Sequence, residues 1–159
     1  MRRWKCATIP ILLSLAGCLS VPALAKASTL DDAVALQQKG KLKKARELFR
    51  SAAADFRSTG DMQNLATALS EAGKISISLG DYADAIKYAS EAVELRKTFK
   101  DSTGLGADFN ALRWANQYLG DYPLALENYE NALKEFDRAD IVRDVQQSGL
   151  EPVGHPSIT

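Results

Sequence analysis

Side chains that could perform catalysis are few in this sequence. The one histidine, His155, lies between Gly154 and Pro156, and the two cysteines, Cys6 and Cys18, both fall in an apolar N-terminal segment. These residues form no Cys/His pair, no Ser-His-Asp set and no zinc-ligand spacing. We therefore expect no catalytic residue, no metal site and no small-molecule cofactor, and we expect that the chain is not an enzyme.

Two weaker patterns have structural explanations. Gly104 and Gly106 form a G-x-G, but no predicted strand precedes them and no third glycine follows. We expect a turn between helices there rather than a phosphate-binding loop. Paired carboxylates near a helix start or on a polar helix face are expected to be solvated surface. These pairs are Asp31 with Asp32 and Glu127 with Glu130.

The first 25 residues predict export. Arg2, Arg3 and Lys5 precede an uncharged apolar run from Cys6 to Val21, and Ala23-Leu24-Ala25 completes the cleavage pattern of a secretory signal peptide. The run is shorter than the roughly 20 residues that a membrane-spanning helix needs. We therefore expect cleavage after Ala25 and a periplasmic or extracellular location.

A second processing site overlaps the first. Leu15-Ala16-Gly17-Cys18 resembles the lipobox of bacterial lipoproteins, in which the cysteine is acylated and becomes the first residue. The apolar residues continue to Ala25, where a polar tether would be expected, so cleavage after Ala25 is favoured. An outer-membrane lipoprotein stays the alternative, and a lipid on Cys18 would then be the membrane contact. Neither product has a disulfide, so the fold must depend on packing.

The charge balance argues against a nucleic-acid partner. The chain has 20 Lys plus Arg and 20 Asp plus Glu. Loss of Arg2, Arg3 and Lys5 with the signal peptide would leave 17 basic and 20 acidic residues. The positive field that holds DNA or RNA is therefore missing.

A forty-residue repeat organises the rest of the chain. Gly40, Gly80 and Gly120 are evenly spaced, and each is followed by small or aromatic residues at +5, +9 and +12. These offsets fall on one stripe of an α-helix, where small side chains let a neighbouring helix approach closely. The glycines suit the left-handed residue that ends a helix, with Asp81 and Asp121 as N-caps of the next helices. The stripe residues are Ala45, Phe49 and Ala52, then Ala85, Ala89 and Ala92, then Ala125, Tyr129 and Ala132.

The motif Leu-Gly-Asp-Tyr-x-x-Ala at 79–85 and 119–125 resembles the tetratricopeptide repeat. The resemblance covers about residues 28–138, and the forty-residue period, against about 34 in the family, indicates a long-period variant. It implies an all-α, right-handed α-solenoid of about three helix-turn-helix repeats. The expected divisions are a signal peptide at 1–25, units at 28–58, 62–100 and 105–138, a short capping helix at 139–148 and a disordered tail at 149–159.

In this family the first helices of successive repeats line a concave groove that holds a peptide or a partner helix. The resemblance places two sets of residues there: Ser70, Lys74, Ile77 and Ser78 from the second unit, and Asn110, Trp114, Gln117 and Tyr118 from the third. An exposed aromatic such as Trp114 at the centre of a patch is typical of a binding hot spot. Packing of Trp114 against a neighbouring repeat is an equally supported alternative.

The function that these patterns favour is a non-catalytic, exported scaffold or adaptor that binds a protein or peptide segment in its groove. Two alternatives stay open. The chain could be a truncated or shortened relative of a larger envelope enzyme or sensor that contains these repeats. It could also be an outer-membrane lipoprotein assembly factor acylated at Cys18.

Overall fold

The computed structural model describes the backbone of residues 21–148 and the side chains of residues 29–140. These residues form six α-helices and no strand, which confirms the all-α prediction. None of the six helices is both long and apolar enough to cross a bilayer. The helices are α1 (Val21–Gln38), α2 (Leu42–Thr59), α3 (Met62–Leu79), α4 (Tyr82–Phe99), α5 (Ser102–Leu119) and α6 (Tyr122–Ser148).

Several predictions about the chain ends lie outside the described residues. They include Cys18 with its lipobox, most of the signal peptide, His155 and the tail at 149–159. The predicted cleavage site after Ala25 falls within α1, which begins at Val21. Export and acylation therefore stay predictions from the sequence.

Each helical hairpin turns on a left-handed glycine. Gly80 ends α3 with φ 80°, and Gly120 ends α5 with φ 83°. The amide of Gly120 donates to the carbonyl of Gln117 at 3.1 Å, which satisfies one of the carbonyls at the helix end. Gly40, with φ 70°, turns the first hairpin. The three predicted turn glycines are thus confirmed.

The hairpins are joined by shorter connections than predicted. Only residues 60–61 separate α2 from α3, and only residues 100–101 separate α4 from α5. Gly104 and Gly106 lie inside α5, so the expected turn there was wrong. The reason is Asp101, whose side chain accepts from the Gly104 amide at 3.0 Å and starts the helix at the next residue.

The two aspartates predicted as N-caps behave differently. Asp121 accepts from the Leu124 amide at 3.2 Å and caps α6 as expected. Asp81 makes no side-chain cap bond to α4. Its carboxylate instead lies 2.5 Å from the guanidinium of Arg46 on α2. The prediction failed at Asp81 because a cation from the preceding hairpin competes for the same carboxylate.

The last helix is longer than its counterparts in the other units. α2 and α4 end at left-handed residues, Gly60 and Lys100. The residue equivalent to both, forty residues after Lys100, is Asp140, and it lies inside α6. Residues 139–148, expected as a separate capping helix, therefore continue α6 as far as Ser148.

Alanines hold the helices of each hairpin close together. The side chains at +5 and +12 after each turn glycine are at most 6% exposed. A Cβ on Gly73 would lie 3.6 Å from the carbonyl oxygen of Ala85, so α3 and α4 approach to van der Waals distance. Six small residues permit this spacing: Ala45, Ala52, Ala85, Ala92, Ala125 and Ala132.

Candidate functional site

The first helices of the three hairpins lie beside one another. Gln37 on α1 donates to the Glu71 carboxylate on α3 at 3.4 Å. Ser70 on α3 lies 2.5 Å from the Asp108 carboxylate on α5. Backbone contacts also join α3 to α5 directly. One side of the molecule is therefore built from α1, α3 and α5.

A polar and aromatic stripe on α5 faces solvent on this side. Trp114 is 39% exposed and Tyr118 is 58% exposed. Their ring centroids are 6.1 Å apart, and Tyr82 of α4 stacks on Tyr118 at 4.8 Å with an interplanar angle of 9°. We call the stripe the α5 surface. It consists of Asn110, Arg113, Trp114, Gln117 and Tyr118.

Arg113 holds the α5 surface together. Its guanidinium carbon lies 3.8 Å from the centroid of the Trp114 ring, in a cation–π contact. Its Nε donates to Asn110 Oδ1 at 3.0 Å and its Nη1 to Gln117 Oε1 at 3.3 Å. Each amide oxygen thus accepts one hydrogen bond from Arg113. Within the described part of the chain nothing accepts from the amide NH₂ groups, which remain as donors for a ligand.

The second-unit residues predicted for the groove do not form a comparable surface. Lys74 and Ser78 are exposed, but Lys74 pairs with Glu71 at 2.6 Å, and the Ser78 hydroxyl donates to the Lys74 carbonyl at 3.2 Å. Ile77 is half-buried and packs against the second core cluster. Ser70 is 4% exposed. The structure therefore brings the third-unit residues together, whereas the second-unit ones are divided between buried, half-buried and exposed positions.

Known proteins share this architecture. Residues 27–98 match a family model described as Tetratricopeptide repeat. The crystal structure of the TPR domain of Arabidopsis FLU superposes with a TM-score of 0.68 at 21% identity, covering 73% of this chain and 98% of that one. The fold is that of a tetratricopeptide-repeat domain. A comparison with curated protein sequences found no match.

Ser70 was predicted to line the tetratricopeptide groove, but it belongs to a buried polar network. Asp108 is 1% exposed and accepts from Arg96 Nε at 2.9 Å as well as from Ser70. Arg96 also pairs with Asp101. Burial raises the pKa of Asp108, against the lowering effects of the Ser70 hydrogen bond and the Arg96 charge. The network joins α3, α4 and α5 and leaves Ser70 without access to a groove ligand.

Two side chains at the α5 surface were missed from the sequence. Arg113 stands forty residues after Gly73, where the repeat would predict a small residue, and that departure was the available signal. Tyr82 was noted only as part of the Leu-Gly-Asp-Tyr motif. Its stacking on Tyr118 joins two helices of different hairpins, and no local pattern could reveal it.

Proposed function

We propose that this chain is a non-catalytic, exported adaptor that binds an extended peptide or protein segment on the α5 surface. The tetratricopeptide-repeat fold is an interaction scaffold, so the specific site must be sought among exposed side chains. One observation carries the assignment: Tyr82, Tyr118 and Trp114 form a continuous ring stack, in which Trp114 and Tyr118 on α5 are exposed to solvent.

The chemistry of the α5 surface suits a peptide. The rings of Trp114 and Tyr118 offer flat apolar area for an aliphatic or aromatic side chain. The NH₂ groups of Asn110 and Gln117 flank these rings and can donate to backbone carbonyls. Arg113 adds positive charge, which favours a carboxylate beside the apolar residue of the ligand.

Photo-crosslinking tests the assignment. A photoreactive phenylalanine in place of Tyr118 is expected to crosslink to a peptide segment of a partner in the cell envelope. The double variant Asn110→Ala with Trp114→Ala is expected to weaken binding of the captured partner about 30-fold, since truncation of a hot spot costs about 2 kcal/mol or more. Leu119→Ala is the matched control, because Leu119 is 57% exposed on the same helix.

Circular dichroism checks that each variant keeps its helix content. Retention of every captured partner by a folded double variant would show that the α5 surface is not the site. Equal weakening by Leu119→Ala would show a general effect on the end of α5 rather than a loss of ring contacts.

Export rests on the N-terminal charges, the apolar run and the Ala23-Leu24-Ala25 pattern. The intact mass of the protein recovered from its cells tests it. A chain that begins at Lys26 supports export without a lipid. A chain that begins at an acylated Cys18 supports the lipoprotein alternative. A chain that keeps Met1 and stays in the cytoplasm contradicts export.

A further inference from the structure

The repeat places an equivalent stripe on the second helix of every unit. The stripe occupies +6, +9, +13 and +16 after the turn glycine, and steps of three and four keep it on one side of the helix. We call the third-unit set the α6 face. The stripes are Arg46, Phe49, Ala53 and Phe56 in the first unit, Ile86, Ala89, Val93 and Arg96 in the second, and Leu126, Tyr129, Leu133 and Phe136 in the third.

The stripe is buried or half-buried in the first two units and exposed in the third. Phe49 and Ala89 are each 1% exposed, whereas Tyr129 at the same position is 46% exposed. Val93 is 3% exposed, whereas Leu133 is 44% exposed. The remaining members of the α6 face are also open to solvent, Leu126 at 59% and Phe136 at 37%. Four large apolar side chains thus form a partly exposed patch along one helix. α5 borders it: the Arg113 guanidinium carbon lies 5.9 Å from the Tyr129 ring centroid, and Gly106 lies against the Phe136 ring.

Within this chain, the first helix of the following hairpin covers the stripe. α3 packs on the first stripe, where Arg46 donates to Ser76 at 3.2 Å. α5 packs on the second stripe, where Arg96 donates to Asp108 at 2.9 Å. α6 continues to Ser148 without a left-handed turn, so no described helix folds back over its face.

The composition of the α6 face indicates which kind of helix fits it. Tyr129, Leu133 and Phe136 repeat the aromatic, aliphatic, aromatic order of the first stripe, and they lack the arginine that pairs with Asp108 in the second. The first stripe is covered by α3, which has no buried acidic residue facing it. It contributes aliphatic side chains to the shared core, namely Leu65, Ala68, Leu69, Ala72 and Ile75.

We propose that the α6 face binds a helix of another protein, which lies antiparallel to α6 and presents Leu, Ala and Ile at the spacing of α3. Such a helix would extend the array by one element. A second copy of this chain fits less well. Its own α6 would set large rings against large rings, and its α1 flank carries the exposed charges of Asp31 and Asp32, which are costly to bury on an apolar face.

A direct binding assay tests this inference on the full-length chain. The probe is a fluorescent, hydrocarbon-stapled peptide with the α3 sequence of residues 62–79, stapled because an isolated helix of this length is marginal in water. Fluorescence anisotropy is expected to show saturable binding. The matched control probe has the α5 sequence of residues 102–119. It should bind at least tenfold more weakly, because Phe136 offers no partner for its aspartate.

Adjacent residues of α6 provide matched variants. Leu133→Ser is expected to weaken binding of the α3 peptide at least tenfold. Lys134→Ser is expected to leave it unchanged, since Lys134 and its equivalents Ala54 and Glu94 are exposed in all three units. Both substitutions lie on the surface, and circular dichroism checks that each variant keeps its helix content.

Four binding results would overturn the inference. They are failure of the α3 peptide to bind, equal binding of the α5 peptide, equal loss in Leu133→Ser and Lys134→Ser, and binding that appears only after deletion of residues 149–159. Dimers in sedimentation that Leu133→Ser abolishes would also overturn it, by showing that a second copy covers the face.

Discussion

Asp108 is an acid that the fold removes almost completely from water. It is 1% exposed, and burial raises its pKa above the ordinary value of 3.8, although the Ser70 hydroxyl and the Arg96 charge oppose the shift. Below pH 3.8 the carboxyl is protonated in both the folded and the unfolded chain. As the pH rises through the pKa that Asp108 has in the folded chain, its carboxyl must ionise inside the core. The contribution of the protonated carboxyl to the free energy of unfolding is then lost.

This direction predicts the pH dependence of an Asp108→Asn variant relative to the wild type. The wild type should lose stability relative to the variant as the pH rises from about 3.5 to 7, because asparagine does not titrate. Urea unfolding of both proteins at a series of pH values measures the difference. A difference that is constant, or that grows in favour of the wild type with rising pH, would contradict a raised pKa.

At Gly120, the backbone conformation alone decides which substitutions are tolerated. Its φ is 83°, and an added Cβ would meet no atom within 4 Å. Gly120→Val should therefore cost about 1–2 kcal/mol from backbone strain, and Gly120→Asn should cost less, because asparagine visits the left-handed region more readily. Thermal unfolding of the two variants provides the test. Equal losses would argue against strain as the cause.

At the level of the helices, Arg96 on α4 joins α3 and α5 by contacting two carboxylates and one hydroxyl. Its side chain is 11% exposed and contacts Asp108, Asp101 and Ser70. Arg96→Ala should cost about 3–5 kcal/mol, since it leaves the buried Asp108 carboxylate without its hydrogen-bonded cation. Denaturant titration measures the loss.

The double variant Arg96→Met with Asp108→Leu serves as the control for this pair. It should cost clearly less than Arg96→Ala, because well-packed apolar residues can replace a buried ion pair with little loss. If the double variant is no more stable than Arg96→Ala, the unpaired Asp108 charge would not explain the loss.

Across the whole molecule, residues at the same repeat position contribute differently to the free energy of unfolding. Phe49 is 1% exposed beneath α3, whereas Tyr129 at the equivalent position is 46% exposed. Phe49→Ala should cost about 3–5 kcal/mol, and Tyr129→Ala should cost less than about 1 kcal/mol. Urea unfolding of the two variants tests this. Similar losses would mean that α6 is covered in the free protein.

Much of the architecture could be predicted from residue spacing. The turn glycines and the alanines at +5 and +12 lie where the forty-residue period placed them. These features depend on steric rules that act within one turn or one helix, and a linear pattern records such rules directly. Trp114 and Tyr118 were likewise predicted together, because they lie one helical turn apart.

The remaining features required the three-dimensional arrangement. Ser70 reads as a surface residue of α3, yet Asp108 and Arg96 from two other helices enclose it. Asp81 was predicted from the sequence to be an N-cap, but its carboxylate instead pairs with Arg46 from the previous hairpin.

By itself, the amino-acid sequence determined that this chain folds as stacked helical hairpins, since periodicity and left-handed turns are local properties. Only the tertiary structure decided which polar side chains are enclosed and which apolar ones stay exposed. Tyr129 occupies a position that is buried in the two preceding units, and it is exposed here because no described helix follows α6 back across its face. Burial depends on neighbours that are distant in the chain, and residue types alone do not specify them.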